Sequence, residues 1–467
     1  MPKNRKILLP IIIFIYTLLS GCSPDMAGNT PAVSTQEDTA VPIPTDTPEV
    51  FDEQIEIELP DEIDEGQEIV FWHAWSGRMA NLMEAFALEY SSENQWDTEI
   101  LVESHADDRI LFRDLNDGVG EDRLPDLIAA PGFILNSMEE IGISMIDLSQ
   151  YIETDQWTLF VEGENDFFPN FWSEDIYSGK RLGVPVYRTA YFLFYNKSFA
   201  EDLGFEEIPV SVEAYREQIC SATQSLAAQG VWGGGWIYNY NASTILSWMK
   251  AFGGELLEQA DLVLSDRENN LALNFLFEIF HQDGCAWISP IPEVTDYFFE
   301  RNTLTFSGKM EDIFITEQVK EIGGYEDVWM LIPYPSGAGT QTVLSEGYSL
   351  AITSGDDQKA LAAWDFIRWM LRPENQARIV QESGTYPVSS SALELLDGFR
   401  SEHPEWSRSL DYLTLIESIP RDMVWITASD VISDIGWRLH FFTTKREEIP
   451  VFLEEGEILI KELGAVR

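Results

Sequence analysis

The period of the hydrophobic pattern changes several times along the chain, and each change predicts an element. Glu68 to Trp72 is a short apolar run that reads as a strand, and from about Arg78 the residues Met79, Leu82, Met83 and Phe86 recur on one helical face. Asp97 to Glu103 alternates as a second strand and Leu124 to Ala130 reads as a third, with a helix from Asp107 to Leu115 between them. Strands alternating with helices predict a mostly parallel sheet. Ala190 to Tyr195 is wholly apolar and aromatic, ends at Asn196-Lys197, and starts a second α/β unit whose first helix opens at Pro209 and Ser211. Helical spacing continues at Val212, Tyr215, Ile219, Ala222 and Leu226, and again at Ala272, Phe275, Leu276, Ile279 and Phe280. Ala360, Ala363, Trp364, Ile367 and Leu371 mark a helix that stops before Pro373, and the pattern from there to Arg467 is almost entirely helical. No repeat of fixed period is found.

The N-terminal stretch follows neither period. Lys3, Arg5 and Lys6 precede an apolar run from Ile7 to Leu19, followed by Leu19-Ser20-Gly21-Cys22. The run falls short of the roughly 20 residues that span a bilayer, so it reads as a signal peptide over residues 1–21. The closing tetrapeptide resembles the lipobox of bacterial lipoproteins, which makes Cys22 the expected site of acylation and the mature N-terminus. From Cys22 to Gly66 the composition turns to Pro, Thr, Ser, Asp and Glu, with no Lys or Arg. Such a segment cannot bury a core and repels itself, so it is expected to be an extended tether reaching roughly 40 Å.

Composition narrows the function. A chain of 467 residues is too long for one hydrophobic core, so at least two lobes are expected. With 29 Lys and Arg against 80 Asp and Glu, the net charge of −51 repels phosphate backbones and argues against nucleic acid as a partner. Aromatic residues make up 12% of the chain and include 15 Trp, too much apolar payload for a disordered acidic protein. The sequence contains no Gly-x-Ser-x-Gly, His-Glu-x-x-His, phosphate-loop or dinucleotide-binding motif. His73, His105, His281, His403 and His440 lack metal-ligand spacing, and pairs such as Glu447-Glu448 are expected by chance among so many acids. No catalytic residue, cofactor or metal is therefore expected. Apart from Cys22 only Cys220 and Cys285 remain, and in an exported chain they suggest a single disulfide that staples two helices of one lobe. Two separately buried thiols are the alternative.

Eight segments in order carry a resemblance: Ile69 to Trp75, Leu124-Pro125-Asp126-Leu127, Gly183-Val184-Pro185-Val186, Leu193 to Phe199, Phe252 to Leu256, Ile332-Pro333-Tyr334-Pro335, Ala362 to Ile367, and Gly384 to Val388. Together, behind a lipobox, they resemble the family 1 extracellular solute-binding proteins of ABC importers, the group that includes maltose- and other sugar-binding proteins. The likeness spans nearly everything from residue 68 to about 395 and weakens in the tail after Ser391. It implies an α/β fold of two lobes closing like a clamshell. On that pattern residues 67–185 and 306–350 form the first lobe and 190–303 and 352–467 the second, with crossings near Pro185 to Ala190, Thr303 to Phe306, and Ile352.

In open α/β sheets ligands bind beyond the carboxyl ends of strands, where loops and helix N-termini present polar groups. That rule selects Trp75 and Ser76 after the first strand, Tyr187 and Arg188 at the crossover, and Tyr238 and Asn241 after the Trp232 to Ile237 segment, with Trp232 and Trp236, spaced four apart through Gly233-Gly234-Gly235, as further candidates whose alternative is to line the strand's two faces. Ser307, Glu346 and Tyr386 complete the expected set. Aromatic rings stack on the C–H face of a sugar, and Arg, Asn and Glu match its hydroxyls. The resulting expectation is a monomeric lipid-anchored receptor on the outer face of the cytoplasmic membrane that passes a mono- or oligosaccharide to an ABC permease. A lipid-anchored glycoside hydrolase and a peptide or polyamine receptor of the same fold are the alternatives.

Overall fold

The computed structural model describes residues 59–120, 123–160, 165–258, 261–289, 294–339, 341–353 and 355–464. The signal peptide, Cys22 and the tether as far as residue 58 lie outside these described residues. Three strands open the body: β1 (Glu68–His73), β2 (Glu99–Ser104) and β3 (Leu127–Pro131). A hairpin of β4 (Ile176–Tyr177) and β5 (Lys180–Arg181) leads into the longest strand, β6 (Val184–Asn196). Next come β7 (Trp236–Ile237), the hairpin β8 (Leu257–Glu258) with β9 (Asp261–Leu262), β10 (Ala286–Trp287) and β11 (Thr305–Lys309). The set ends with β12 (Trp329–Ile332), β13 (Val343–Ile352) and β14 (Ile416–Ser418).

Ten of these strands make one sheet in the order β10-β7-β11-β6-β13-β3-β1-β2, with β12 added to β6 and β14 to β13. Strands β1, β2 and β3 are parallel, as their alternation with helices predicts. The antiparallel pair β6 and β13 joins the two halves of the sheet. All 13 residues of β6 are buried, which explains why its sequence is apolar without alternation. Pro185 lacks an N–H for the ladder, and the register with β13 shifts between Tyr348 and Ser349, leaving Val186 as the extra residue of a bulge. Gly347 is required nearby, because a Cβ there would sit 2.2 Å from the Tyr187 carbonyl oxygen.

Each half has its own core. In the first, the helix Gly77–Glu93 buries Met79, Leu82, Met83 and Phe86 against the strand that carries Phe71. In the second, the helix Val212–Gln229 is capped by Ser211, whose side chain accepts from the Ala214 N–H, and it buries Tyr215, Ile219 and Leu226 beside Trp236 and Trp248. A disulfide joins Cys220 of this helix to Cys285, next to β10.

The division of the chain differs from the lobe boundaries expected from sequence. Strands β11 and β12 pair with the Tyr191 to Asn196 end of β6, so residues 305–332 belong to the second half. The return crossing is β13, whose last residues pair with β3. Its helices Asp357–Met370 and Pro373–Ser383 then pack Trp364, Phe366, Ile367 and Ile379 into the first core with Phe71 and Phe86. Only later does the chain rejoin the second half, where the helices Val424–Arg438 and Ile449–Gly464 contribute Ile432 and Leu453. The reason is physical: a strand's side is set by its non-local partner, which local periodicity does not encode.

Candidate functional site

Strands β7 and β10 run parallel to each other, and β11 runs parallel to β7. Just past the carboxyl ends of β7 and β10, and beside Phe306 and Ser307 of β11, lies a cavity of about 800 Å³. Tyr238, Tyr240 and Phe306 supply its aromatic surface, while Asn239, Asn241, Ser307 and Ser433 supply amides and hydroxyls. Asp296 and Asp312 are the charged groups among its described lining residues, which include no Lys or Arg. Asn241 is fixed because it caps the helix Ala242–Ala251, its side chain accepting from the Thr244 N–H at 2.8 Å. Asp312 is fixed because its carboxylate accepts from the Lys309 N–H at 2.9 Å, and burial pushes its pKa up.

The first half reaches the two helices that flank this cavity. Arg109 pairs with Asp430 on the helix that carries Ser433, and the Arg78 guanidinium lies 5.2 Å from the Phe314 ring on the helix that carries Ile315 and Val319. The described lining of the cavity belongs to the second half, and the first half touches the helices beside it.

Behind the rim is an aromatic and ionic junction. Trp75 Nε1 donates to Tyr187 Oη at 2.9 Å, and both rings pack on Tyr348, with centroids 5.3 and 5.6 Å away. Tyr348 Oη in turn donates to Asp108 at 2.6 Å. Glu346 pairs with Lys309, and Thr189 hydrogen-bonds the half-buried Glu311, whose pKa desolvation pushes up. Burial also pushes the Asp108 carboxyl up to about 6, with Glu346 and Asp107 adding to the shift and the Tyr348 hydroxyl and Lys309 opposing it.

A pH dependence follows. Asp108 holds its proton more tightly in the folded chain than the ordinary value of 3.8 allows when unfolded, so its stabilising contribution is complete below about pH 4 and is lost as the pH rises through about 6. Asp108→Asn is expected to raise stability at pH 7.5 by about 1–2 kcal/mol and to leave it unchanged near pH 4, read from urea midpoints at the two pH values. Equal midpoint shifts at both pH values would contradict this.

The residues expected from sequence divide into four groups. Tyr238, Asn241 and Ser307 line the cleft, and Trp75, Tyr187 and Glu346 meet at the junction behind it. Ser76 is exposed at the start of the helix Gly77–Glu93, and Trp232 lies on the surface outside the cleft. The remaining three are corrected by their packing. Arg188 is only 2% exposed and its donors are engaged internally: Nε to Glu174 at 2.7 Å, and the terminal nitrogens to the Tyr187 and Tyr348 carbonyls, Asp175 and Ser349. It is a strut between β6 and β13. Trp236 is core, packed between Tyr215, Tyr238 and Trp248. Tyr386 is core as well, with its hydroxyl donating to the Ser409 carbonyl at 2.8 Å.

Sequence reasoning did not single out Asp108, Lys309, Asp296, Asp312 or Ser433. The acids were indistinguishable among 80 carboxylates, and Ser433 lies on a helix remote in sequence from the strands.

A two-lobed α/β body with a cavity at strand carboxyl ends defines a class of solute receptor rather than any one ligand. The chain belongs to the bacterial extracellular solute-binding proteins, whose family model matches residues 143–409. Among curated relatives, the sn-glycerol-3-phosphate-binding periplasmic protein UgpB of Escherichia coli is 22% identical over 359 residues, covering 72% of this chain and 78% of its own. The sugar-binding protein MalE of Xanthomonas citri superposes with a TM-score of 0.73 at 17% identity, over 86% of this chain and 99% of that one. UgpB of Mycobacterium tuberculosis, solved with glycerophosphocholine, gives 0.68 at 17% identity over 86% and 100%. These likenesses establish the fold.

Proposed function

We propose that the protein is a lipid-anchored receptor that captures a neutral carbohydrate in this cleft outside the cell and passes it unchanged to the permease of an ABC importer. The observation that carries the reading is the lining itself: rings from Tyr238, Tyr240 and Phe306 beside amides and hydroxyls, two carboxylates, and no cation among the described residues. A phosphorylated glycerol would meet the N-terminus of the helix Ala242–Ala251 at Asn241 but no Lys or Arg among the described lining residues, and Asp296 and Asp312 oppose its charge. Sugar hydroxyls are matched by Asn239, Asn241, Ser307 and Asp312, and the C–H faces by the rings. A solute that touches both halves favours their closed arrangement, which is the state for a permease to recognise. Acylation of Cys22 would hold so acidic a chain at a membrane.

Thermal-shift titration of residues 59–467 with neutral sugars, sn-glycerol-3-phosphate, glycerophosphocholine, spermidine and peptides tests this, because a ligand of the folded state raises the midpoint with its affinity. A sugar is expected to raise it, with no product released. Ser307→Ala and Asn239→Ala are each expected to weaken that sugar about three- to tenfold, measured by calorimetric titration. A shift from glycerophosphate or spermidine alone, or turnover of the sugar, would sink the reading.

A further inference from the structure

Ile288 lines the cleft and also a second groove of about 410 Å³, framed by Trp232, Trp287, Trp437 and Phe442. Two ring pairs link the spaces. Tyr240 packs on Trp437 at 5.1 Å and Tyr238 on His440 at 3.7 Å, the first member of each lining the cleft and the second the groove.

Trp232 is 64% exposed and Phe442 95%, a large apolar surface to leave in water beside a binding cleft. Trp287 Nε1 and His440 Nε2 are enclosed in the groove wall, with no hydrogen-bond partner among the described residues. His440 Nδ1 lies 2.7 Å from the Gly436 carbonyl oxygen and must donate to it. Burial pushes the His440 pKa down to about 3, so the ring is neutral and Nε2 is an acceptor. No Asp, Glu, Lys or Arg is among the described residues that line the groove, which gives it no charge to select an ion, and a second copy of a chain carrying −51 would be repelled. Exposed aromatic faces beside a cavity lined with amides and hydroxyls suit the C–H faces of a neutral polyhydroxylated ring.

We propose that this groove binds further sugar units of an oligosaccharide whose leading unit occupies the cleft. The inference rests on the carbohydrate reading above, and it makes the ligand a chain of several units. Trp437 with Tyr240 forms the shared wall along which the chain passes from one space to the other.

The test uses gluco-, galacto- and xylo-oligosaccharides of one to six units, titrated calorimetrically into the parent and into Phe442→Ala/Trp232→Ala, both exposed positions that a folded chain tolerates. For the series that binds, the parent's affinity is expected to rise with length, and the double variant to lose about tenfold on chains of four or more units while single units stay within twofold. Phe442→Trp is expected to restore the long-chain affinity. Affinity independent of length, or long chains unaffected by the double variant, overturns the groove alone. A parent that binds none of these sugars overturns the carbohydrate reading and the groove with it. A sedimentation coefficient lowered by the double variant assigns the patch to self-association instead and overturns the proposal.

Discussion

Replacing Arg188 with Met is expected to destabilise the protein by about 3–5 kcal/mol, the largest effect of any single side-chain change considered. The guanidinium is buried at the junction of β6 and β13, where it pairs with Glu174 and with Asp175, a carboxylate that has no exposed side-chain surface. Burial alone would raise the Asp175 pKa, but Arg421 and Arg188 together hold it below the usual carboxylate range. Without Arg188, Arg421 remains on Asp175 at 2.6 Å, but Glu174 keeps only the Ser418 hydroxyl and Arg421 at 4.0 Å, and the Tyr187 and Tyr348 carbonyls lose the guanidinium as donor. Lys is expected to be a poor substitute, because one ammonium cannot reproduce a five-donor fork. Urea denaturation at pH 7 checks this, and a loss below about 1 kcal/mol would mean that water replaces the guanidinium. Adding Glu174→Gln to Arg188→Met should recover part of the loss by removing the stranded charge.

The second large effect is expected from Cys220→Ser/Cys285→Ser. The bridge closes a loop between residues 65 apart in sequence, and the chain-entropy argument for a loop of that size gives about 4 kcal/mol. The stabilised partners are the helix Val212–Gln229 and the segment that leads into β10, so the loss falls on the second half. Comparing the double variant with the parent, with and without reductant, separates loss of the cross-link from loss of packing. A parent whose denaturation midpoint is the same reduced and oxidised would contradict the assignment of 4 kcal/mol to the bridge.

Local elements were legible because they are written in local spacing. The helix Gly77–Glu93 buries the four residues that its period predicts, and the helix Asp357–Met370 ends just ahead of Pro373 as proline geometry requires. Strand β3, read as Leu124 to Ala130, spans Leu127–Pro131. Pairing was not legible. Nothing in Thr305 to Lys309 announces that it lies beside Tyr191 to Tyr195, or that Trp364 belongs with Phe71 rather than with its sequence neighbours in the second half. The site shows the same boundary. The carboxyl-end rule selected Tyr238, Asn241 and Ser307, which line the cavity, because it depends only on strand direction. It misplaced Arg188, whose partners Glu174 and Asp175 lie upstream of the strand in a chain crowded with acids. Trp236 and Trp232 look alike in sequence, but one lies in the core and the other on the surface.

One consequence of strand β6 concerns how the molecule comes apart. Val184, Val186 and Tyr187 sit in the first core, while Ala190 to Tyr195 sit in the cores of the second half. A single uninterrupted ribbon is therefore held at both ends, and releasing either end strips ladder partners from the other. On heating, the body should melt in a single calorimetric step, with equal van't Hoff and measured enthalpies. Separate endotherms for the two halves are not expected, even though each has a hydrophobic interior of its own.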